Sequence, residues 1–159
     1  MFTLTRDDGF TISTDPDRLD LDRVHHWLST DAYWAIGRDQ ETVTRAFAGS
    51  IGYGVYRPVD GRQVAVARVI TDRTTFGYLC DVYVDRAERG RGLGSWLAGA
   101  VRDHLATLGV RRMLLATFDA HGLYQKLGFT TVDGKRWMEW DRRHDSAVSP
   151  LTGKDQSAG

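Results

Sequence analysis

The chain has 159 residues, and its 42% apolar content suffices for one packed domain rather than a disordered polymer. Its formal net charge of zero argues against a nucleic-acid partner, because such domains usually carry a clear basic excess. A lone cysteine, Cys80, excludes an internal disulfide and a cysteine zinc cage, and no metal site is apparent.

The first segment, "MFTLTRDDGF", lacks the long apolar run of a signal peptide or membrane span, so the expectation is a soluble, cytoplasmic protein with no membrane partner. "FTLTRDDGFTIST" alternates apolar and polar residues around Asp8-Gly9 and predicts a short hairpin. In "DRLDLDRVHHWLS", Asp20 can cap a helix whose Leu21, Val24, Trp27 and Leu28 share one face. The aromatic stretch "DAYWAIGR" follows. A second helix is expected in "DQETVTRAFAGS", capped at Asp39 and stopped at Gly49, with Val43, Ala46 and Phe47 inward.

Three strands then read as an antiparallel meander: Ile51–Arg57, Gln63–Thr71 and Phe76–Val84. The period changes in "GSWLAGAVRDHLATLG", where Leu97, Val101, Leu105 and Leu108 recur at helical spacing and Gly109 stops the helix. A strand over Arg111–Phe118, a short helix in "AHGLYQKLG" and a final hairpin around Asp133-Gly134 complete the fold. Residues 1–144 are expected to form one domain. The tail from 145 to 159, poor in apolar residues, is expected to be disordered. The order implies a mixed α/β domain whose strand–helix–strand part pairs in parallel by a right-handed crossover.

Between strand and helix lies "DVYVDRAERGRGLGSWL", with Gly90, Gly92 and Gly94 at every second position. A helix start presents unpaired N–H groups and a partial positive charge, and glycines leave that backbone open to an anion such as phosphate. Arg89 and Arg91 can add charge. A P-loop needs Gly-Lys-Ser/Thr, but this loop ends Gly94-Ser95-Trp96. A dinucleotide fingerprint needs Gly-x-Gly-x-x-Gly, but its third glycine slot holds Ser95 or Leu97. An ordinary glycine-rich turn is the alternative.

With its flanks, the stretch resembles the GCN5-related N-acetyltransferase (GNAT) superfamily. The family's acetyl-CoA signature, Arg/Gln-x-x-Gly-x-Gly/Ala, is met by Arg89-Gly90-Arg91-Gly92-Leu93-Gly94. About 30 residues on, "AHGLYQKLGF" is similar to a second family element through Ala120, Leu123, Tyr124, Lys126, Gly128 and Phe129. The resemblance covers about Ile51 to Trp140. It implies a central twisted mixed sheet of about six or seven strands with helices on both faces.

It also implies roles. The backbone of Val82, Tyr83 and Val84 would pair with the pantetheine arm of acetyl-CoA. The N–H groups from Arg89 through Gly90, Arg91, Gly92, Leu93 and Gly94 to Ser95 would hold the pyrophosphate. Tyr124 would meet the CoA sulfur and act as general acid. Thr117 stands where many members carry a pantetheine-binding asparagine, seven residues before that tyrosine; it can keep one hydrogen bond of the amide's pair.

The implied reaction moves an acetyl group from acetyl-CoA to a primary amine of a small molecule by direct attack in a ternary complex. Acetylation of a protein lysine or N-terminus is the alternative within that chemistry. A non-catalytic acyl-CoA sensor and a module for other nucleotides are alternatives outside it. A homodimer is compatible with the resemblance.

Asp81 is the first choice for the base. The competing reading is a paired, structural carboxylate, and His25, His26, Asp119, His121 or a water chain are alternatives. The polyamine members read roughly "YLEDFFV" where Tyr78–Val84 reads "YLCDVYV", so their glutamate becomes Cys80. Strand alternation sends Cys80 and Asp81 to opposite faces. Cys80 could serve as a nucleophile only if exposed and activated. Tyr33, Trp34, Arg38 and Tyr78 are the candidates for the acceptor pocket, with Arg38 suited to grip a carboxylate.

Overall fold

Six strands form one sheet in chain order: β1 (Thr3–Thr5), β2 (Thr11–Ser13), β3 (Ile51–Tyr56), β4 (Gln63–Thr71), β5 (Gly77–Val84) and β6 (Met113–Leu115). The first five are antiparallel, and β5 and β6 are parallel. The computed structural model describes residues 1–141. They fall into two units, Met1–Phe129 and a second beginning at Thr130.

Local chemistry explains the helices. In α1 (Leu21–Thr30) the Asp20 carboxylate accepts from the N–H of Arg23, and Val24, Trp27 and Leu28 are buried. In α2 (Gln40–Ala48) Asp39 accepts from the N–H of Thr42, with Val43 and Phe47 inward. The long helix α3 (Leu93–Thr107) buries Leu97, Val101 and Leu105. Short α4 (His121–Lys126) is closed by Gly128 at φ 88°.

The sheet is covered on two sides. Ala65, Ala67 and Val69 of β4 and Leu79 of β5 pack with α3, in a cluster that also takes Tyr53 and Val55. Val66 and Tyr83 pack with α1 and α2. This is the expected mixed α/β arrangement with helices on both faces.

Two expected elements differ. The strand foreseen over Arg111–Phe118 contracts to Met113–Leu115, because β5 supplies partners only from Gly77 to Leu79. In the second unit, the described residues around Asp133-Gly134 form a turn, with Lys135 N–H donating to Asp133, but no strand. The expected tail from 145 onward lies outside the described residues. Among those residues, no helix is long and apolar enough to cross a membrane.

Candidate active site

The site grows out of an irregularity in β5. Cys80 pairs with Arg68 and Tyr83 with Val66, so Asp81 and Val82 together oppose the single residue Ala67. Asp81 takes up the extra length in the left-handed region, at φ 51°. This is a β-bulge, and it breaks the alternation expected from sequence. Leu79 and Asp81 would share a face in a regular strand, yet Leu79 packs toward α3 while the Asp81 carboxylate meets Trp34, Arg38 and Arg68. Cys80 shares the face of its cross-strand partner Arg68, so it lies on the same side as Asp81 and not opposite it.

Asp81 is 4% exposed. Its Oδ2 accepts from Arg68 Nε at 2.7 Å, and its Oδ1 accepts from Arg38 Nη1 at 3.0 Å and Trp34 Nε1 at 3.2 Å. Burial alone would raise the carboxyl's pKa, but the two guanidiniums outweigh it and hold it below the usual carboxylate range. A carboxylate so held is a poor proton acceptor. This pairing favours the alternative reading of Asp81, that of a paired structural carboxylate. Arg38 shares the same ion pair through Nη1 and does not line the cleft described below.

The glycine loop forms as expected at the mouth of α3. Gly90 and Gly92 sit at φ 81° and 72°, and Gly92 is the N-cap with no side-chain cap. A Cβ built at either glycine would meet nothing within 4 Å, so both open onto free space. The first intrahelical bond runs from Trp96 N–H to the Gly92 carbonyl. Among the described residues the N–H groups of Gly90 to Ser95 have no protein partner, which gives a row of donors at a positive helix end.

Beside this loop the parallel pair β5–β6 stops at Leu79–Leu115. From Cys80 to Val84, β5 has a strand neighbour on one side only. Arg89 Nε fills part of the open edge, donating to the Val84 carbonyl at 3.1 Å.

Loop and edge border a cleft of about 460 Å³. Of the residues expected from sequence, Tyr33, Trp34, Val82, Tyr83, Val84, Arg89, Gly90, Gly92, Leu93, Gly94, Ser95 and Tyr124 line it. Tyr124 is half-buried on α4, edge-on to Phe129, and no protein group among the described residues hydrogen-bonds its hydroxyl. Burial, and then the nearby Asp119 and Tyr33, push its pKa up, which keeps the phenol protonated.

Five expected residues are not in the lining: Asp81, held as described above, and the four that follow. Arg91 pairs with Glu88 at 3.1 Å and lines a separate groove with Arg6 and Arg57. The Thr117 hydroxyl accepts from Ala120 N–H at 3.1 Å, supporting the start of α4. Arg38 is withdrawn to Asp81. Tyr78 sits between Ile70 and Leu114 in the sheet, away from the cleft lining. Among the alternative bases, His25 Nε2 lies 3.0 Å from the Arg38 carbonyl and His26 borders another groove, whereas Asp119 lines the cleft.

The sequence reading missed Asp31 and Glu88. Asp31 accepts from Tyr83 Oη at 2.5 Å and from Arg86 and Arg89. Arg86 first, then Tyr83, lowers its carboxyl well below the usual range. Glu88 is buried between Arg57 and Arg91. Neither carries a motif in the sequence, and only the fold shows that the arginines around the loop are already matched by carboxylates. Cys80 is half-buried, and burial pushes its thiol up to about 11, opposite to what nucleophilic activation requires.

A glycine-opened helix mouth stands beside a parallel strand pair whose pairing stops at Leu79–Leu115, a geometry with room and backbone donors for an anionic group. The model of the Acetyltransferase (GNAT) family matches residues 15–129. A Gibberella zeae protein assigned as an acetyltransferase is 33% identical over a 167-residue alignment covering 94% of this chain and 92% of its own. A crystal structure from Xanthomonas campestris pv. campestris, assigned to the GNAT family, matches with a TM-score of 0.78 and 44% identity over 84% of this chain and 94% of that one. Rv2747 of Mycobacterium tuberculosis, crystallised in complex with CoA, shares the fold at a TM-score of 0.65 and 19% identity, over 77% of this chain and 73% of its own. The chain belongs to the GNAT acetyltransferase family.

Proposed function

We propose that this protein transfers an acetyl group from acetyl-CoA to a primary amine of a small molecule, by direct attack within a ternary complex. The observation that carries the reading is the meeting, in one cleft, of the unpartnered N–H row of Gly90–Ser95, the one-sided edge of β5 and the Tyr124 phenol. The open space at Gly90 and Gly92 suits a pyrophosphate that must approach backbone closely. The β5 edge at Val82 and Tyr83 suits an added strand-like arm. Rv2747, which shares the fold, was crystallised with CoA, and this supports a CoA-type ligand.

In this mechanism the amine nitrogen attacks the thioester carbonyl carbon. The new C–N bond forms, and the carbonyl oxygen gains charge that a backbone N–H near Val82 or Tyr83 stabilises. Collapse breaks the C–S bond, Tyr124 gives its proton to the departing thiolate, and the attacking nitrogen releases its extra proton, which restores the phenol. The acceptor must first lose a proton, because an alkylammonium has a pKa of roughly 10. Of the three carboxylates lining the cleft, Asp31 and Glu88 are held by arginines, while Asp119 has no ion pair among the described residues and meets the amine at the mouth. Cys80, with its raised pKa, forms no acyl-enzyme.

Thermal unfolding with acetyl-CoA, ATP and NAD in parallel tests the reading. Ligand at ~100 times Kd adds about 2.7 kcal/mol, or roughly 5–10 °C in Tm for a chain of this length. A rise with acetyl-CoA alone is expected. An equal or larger rise with ATP or NAD would sink it.

A further inference from the structure

Resting on that reading, we infer that the acceptor is a monoamine carried on a flat aromatic body, an arylalkylamine, and neither an amino acid nor a polyamine. Tyr33 and Trp34 line one end of the cleft, and Phe118 stands just outside that lining against Tyr33. Tyr33 is 51% exposed, Trp34 42% and Phe118 88%. Tyr33 lies edge-on to Trp34 at 5.0 Å and to Phe118 at 5.9 Å, so the three form one connected apolar rim. Exposed aromatics in contact at the mouth of a cleft mark a recognition surface, since isolated surface rings need no such arrangement.

The rim is held in place. Trp34 Nε1 donates to the buried Asp81 carboxylate at 3.2 Å, and Tyr33 Oη accepts from Phe118 N–H at 3.4 Å. Wall residues fixed before binding lose little freedom when a ring stacks on them.

Charge narrows the class further. Arg38, which could have gripped an acceptor carboxylate, is bound to Asp81. Arg86 and Arg89 are bound to Asp31. Asp119, next in the chain to Phe118, supplies the one cleft carboxylate without an ion pair among the described residues, which suits a single ammonium. A polyamine would bring further cations with no free anion to meet them. An amino acid would bring a carboxylate, and the arginine that lines the cleft among the described residues, Arg89, is already paired with Asp31.

The test measures free CoA release with acetyl-CoA and a panel of acceptors: tryptamine, 2-phenylethylamine, butylamine, spermidine and L-phenylalanine. The two arylalkylamines are expected to exceed butylamine, spermidine and L-phenylalanine by about tenfold or more in kcat/KM. Phe118→Ala, at a position too exposed to endanger folding, should narrow the aryl-to-butyl ratio to about threefold or less, through KM. Spermidine or L-phenylalanine as the best acceptor, an unchanged ratio in Phe118→Ala, or no turnover of either arylalkylamine overturns the acceptor class while leaving the acetyl-CoA reading standing. Failure of acetyl-CoA to raise Tm overturns both.

Discussion

Replacing Asp81 by asparagine separates the two roles a carboxylate can have in this position. Asparagine keeps the shape and tolerates the left-handed backbone at φ 51° as readily as aspartate, so the change isolates the charge. Arg68 is 12% exposed and keeps its guanidinium 2.7 Å from this side chain. Removing one partner of a buried pair leaves the other charge uncompensated and costs about 3–5 kcal/mol. At roughly 2–4 °C per kcal/mol for a domain of this size, Tm should fall by about 6–20 °C in a calorimetric scan at pH 7.

The pH dependence has a defined sign. The native carboxyl lies below its ordinary value, so its contribution is present above the unfolded pKa of roughly 3.9 and is lost as pH falls through the folded one. The gap in Tm between wild type and Asp81→Asn should therefore be full at pH 7 and close below about pH 4. A Tm change under about 2 °C, together with a hundredfold or greater loss of kcat, would refute the structural assignment and return Asp81 to the chemistry.

Gly92→Val should abolish stabilisation by acetyl-CoA, because its side chain enters the open space where the loop donors converge; the φ of 72° adds a folding cost of about 1–2 kcal/mol, and an unchanged Kd by calorimetry would contradict the phosphate-loop assignment. Tyr124→Phe should lower kcat about a hundredfold with acetyl-CoA affinity kept within a few-fold, and equal turnover would remove the phenol from proton transfer. Cys80, pushed up to about 11, should carry roughly two orders of magnitude less thiolate at pH 8 than a free cysteine, so iodoacetamide labelling of the native protein should be slow; rapid labelling would reopen the acyl-enzyme route.

The sequence was most legible where a local rule decides. The caps at Asp20 and Asp39 and the helical spacing of Leu97, Val101 and Leu105 each depend on a few neighbouring residues. The glycine loop was legible for the same reason, since positive φ and open backbone are glycine properties. The relative faces of Cys80 and Asp81 were misread because strand alternation holds only in a regular strand, and no residue in "YLCDVYV" announces a bulge. The length of β6 depends on how far β5 runs beside it, which is a tertiary property. Arg38 and Arg91 looked free because their carboxylate partners, Asp81 and Glu88, are 43 and three residues away in sequence and become partners only in the fold.

That matching of charges changes how the site must work. Arg89 is divided between Asp31 and the Val84 carbonyl, and Arg91 is bound to Glu88. The loop's attraction for phosphate therefore rests mainly on the backbone donors of Gly90 to Ser95 and the helix end behind them, not on net positive charge. Donors fixed by the α3 helix do not have to be reoriented when a ligand arrives. The same economy holds at the other end of the cleft, where the bulge at Asp81 fixes Trp34 through a buried ion pair. One irregular residue in β5 thus turns the strand's pairing register and anchors the aromatic wall. A change there should disturb acceptor binding and stability together, whereas a change at Gly92 acts mainly on the phosphate end.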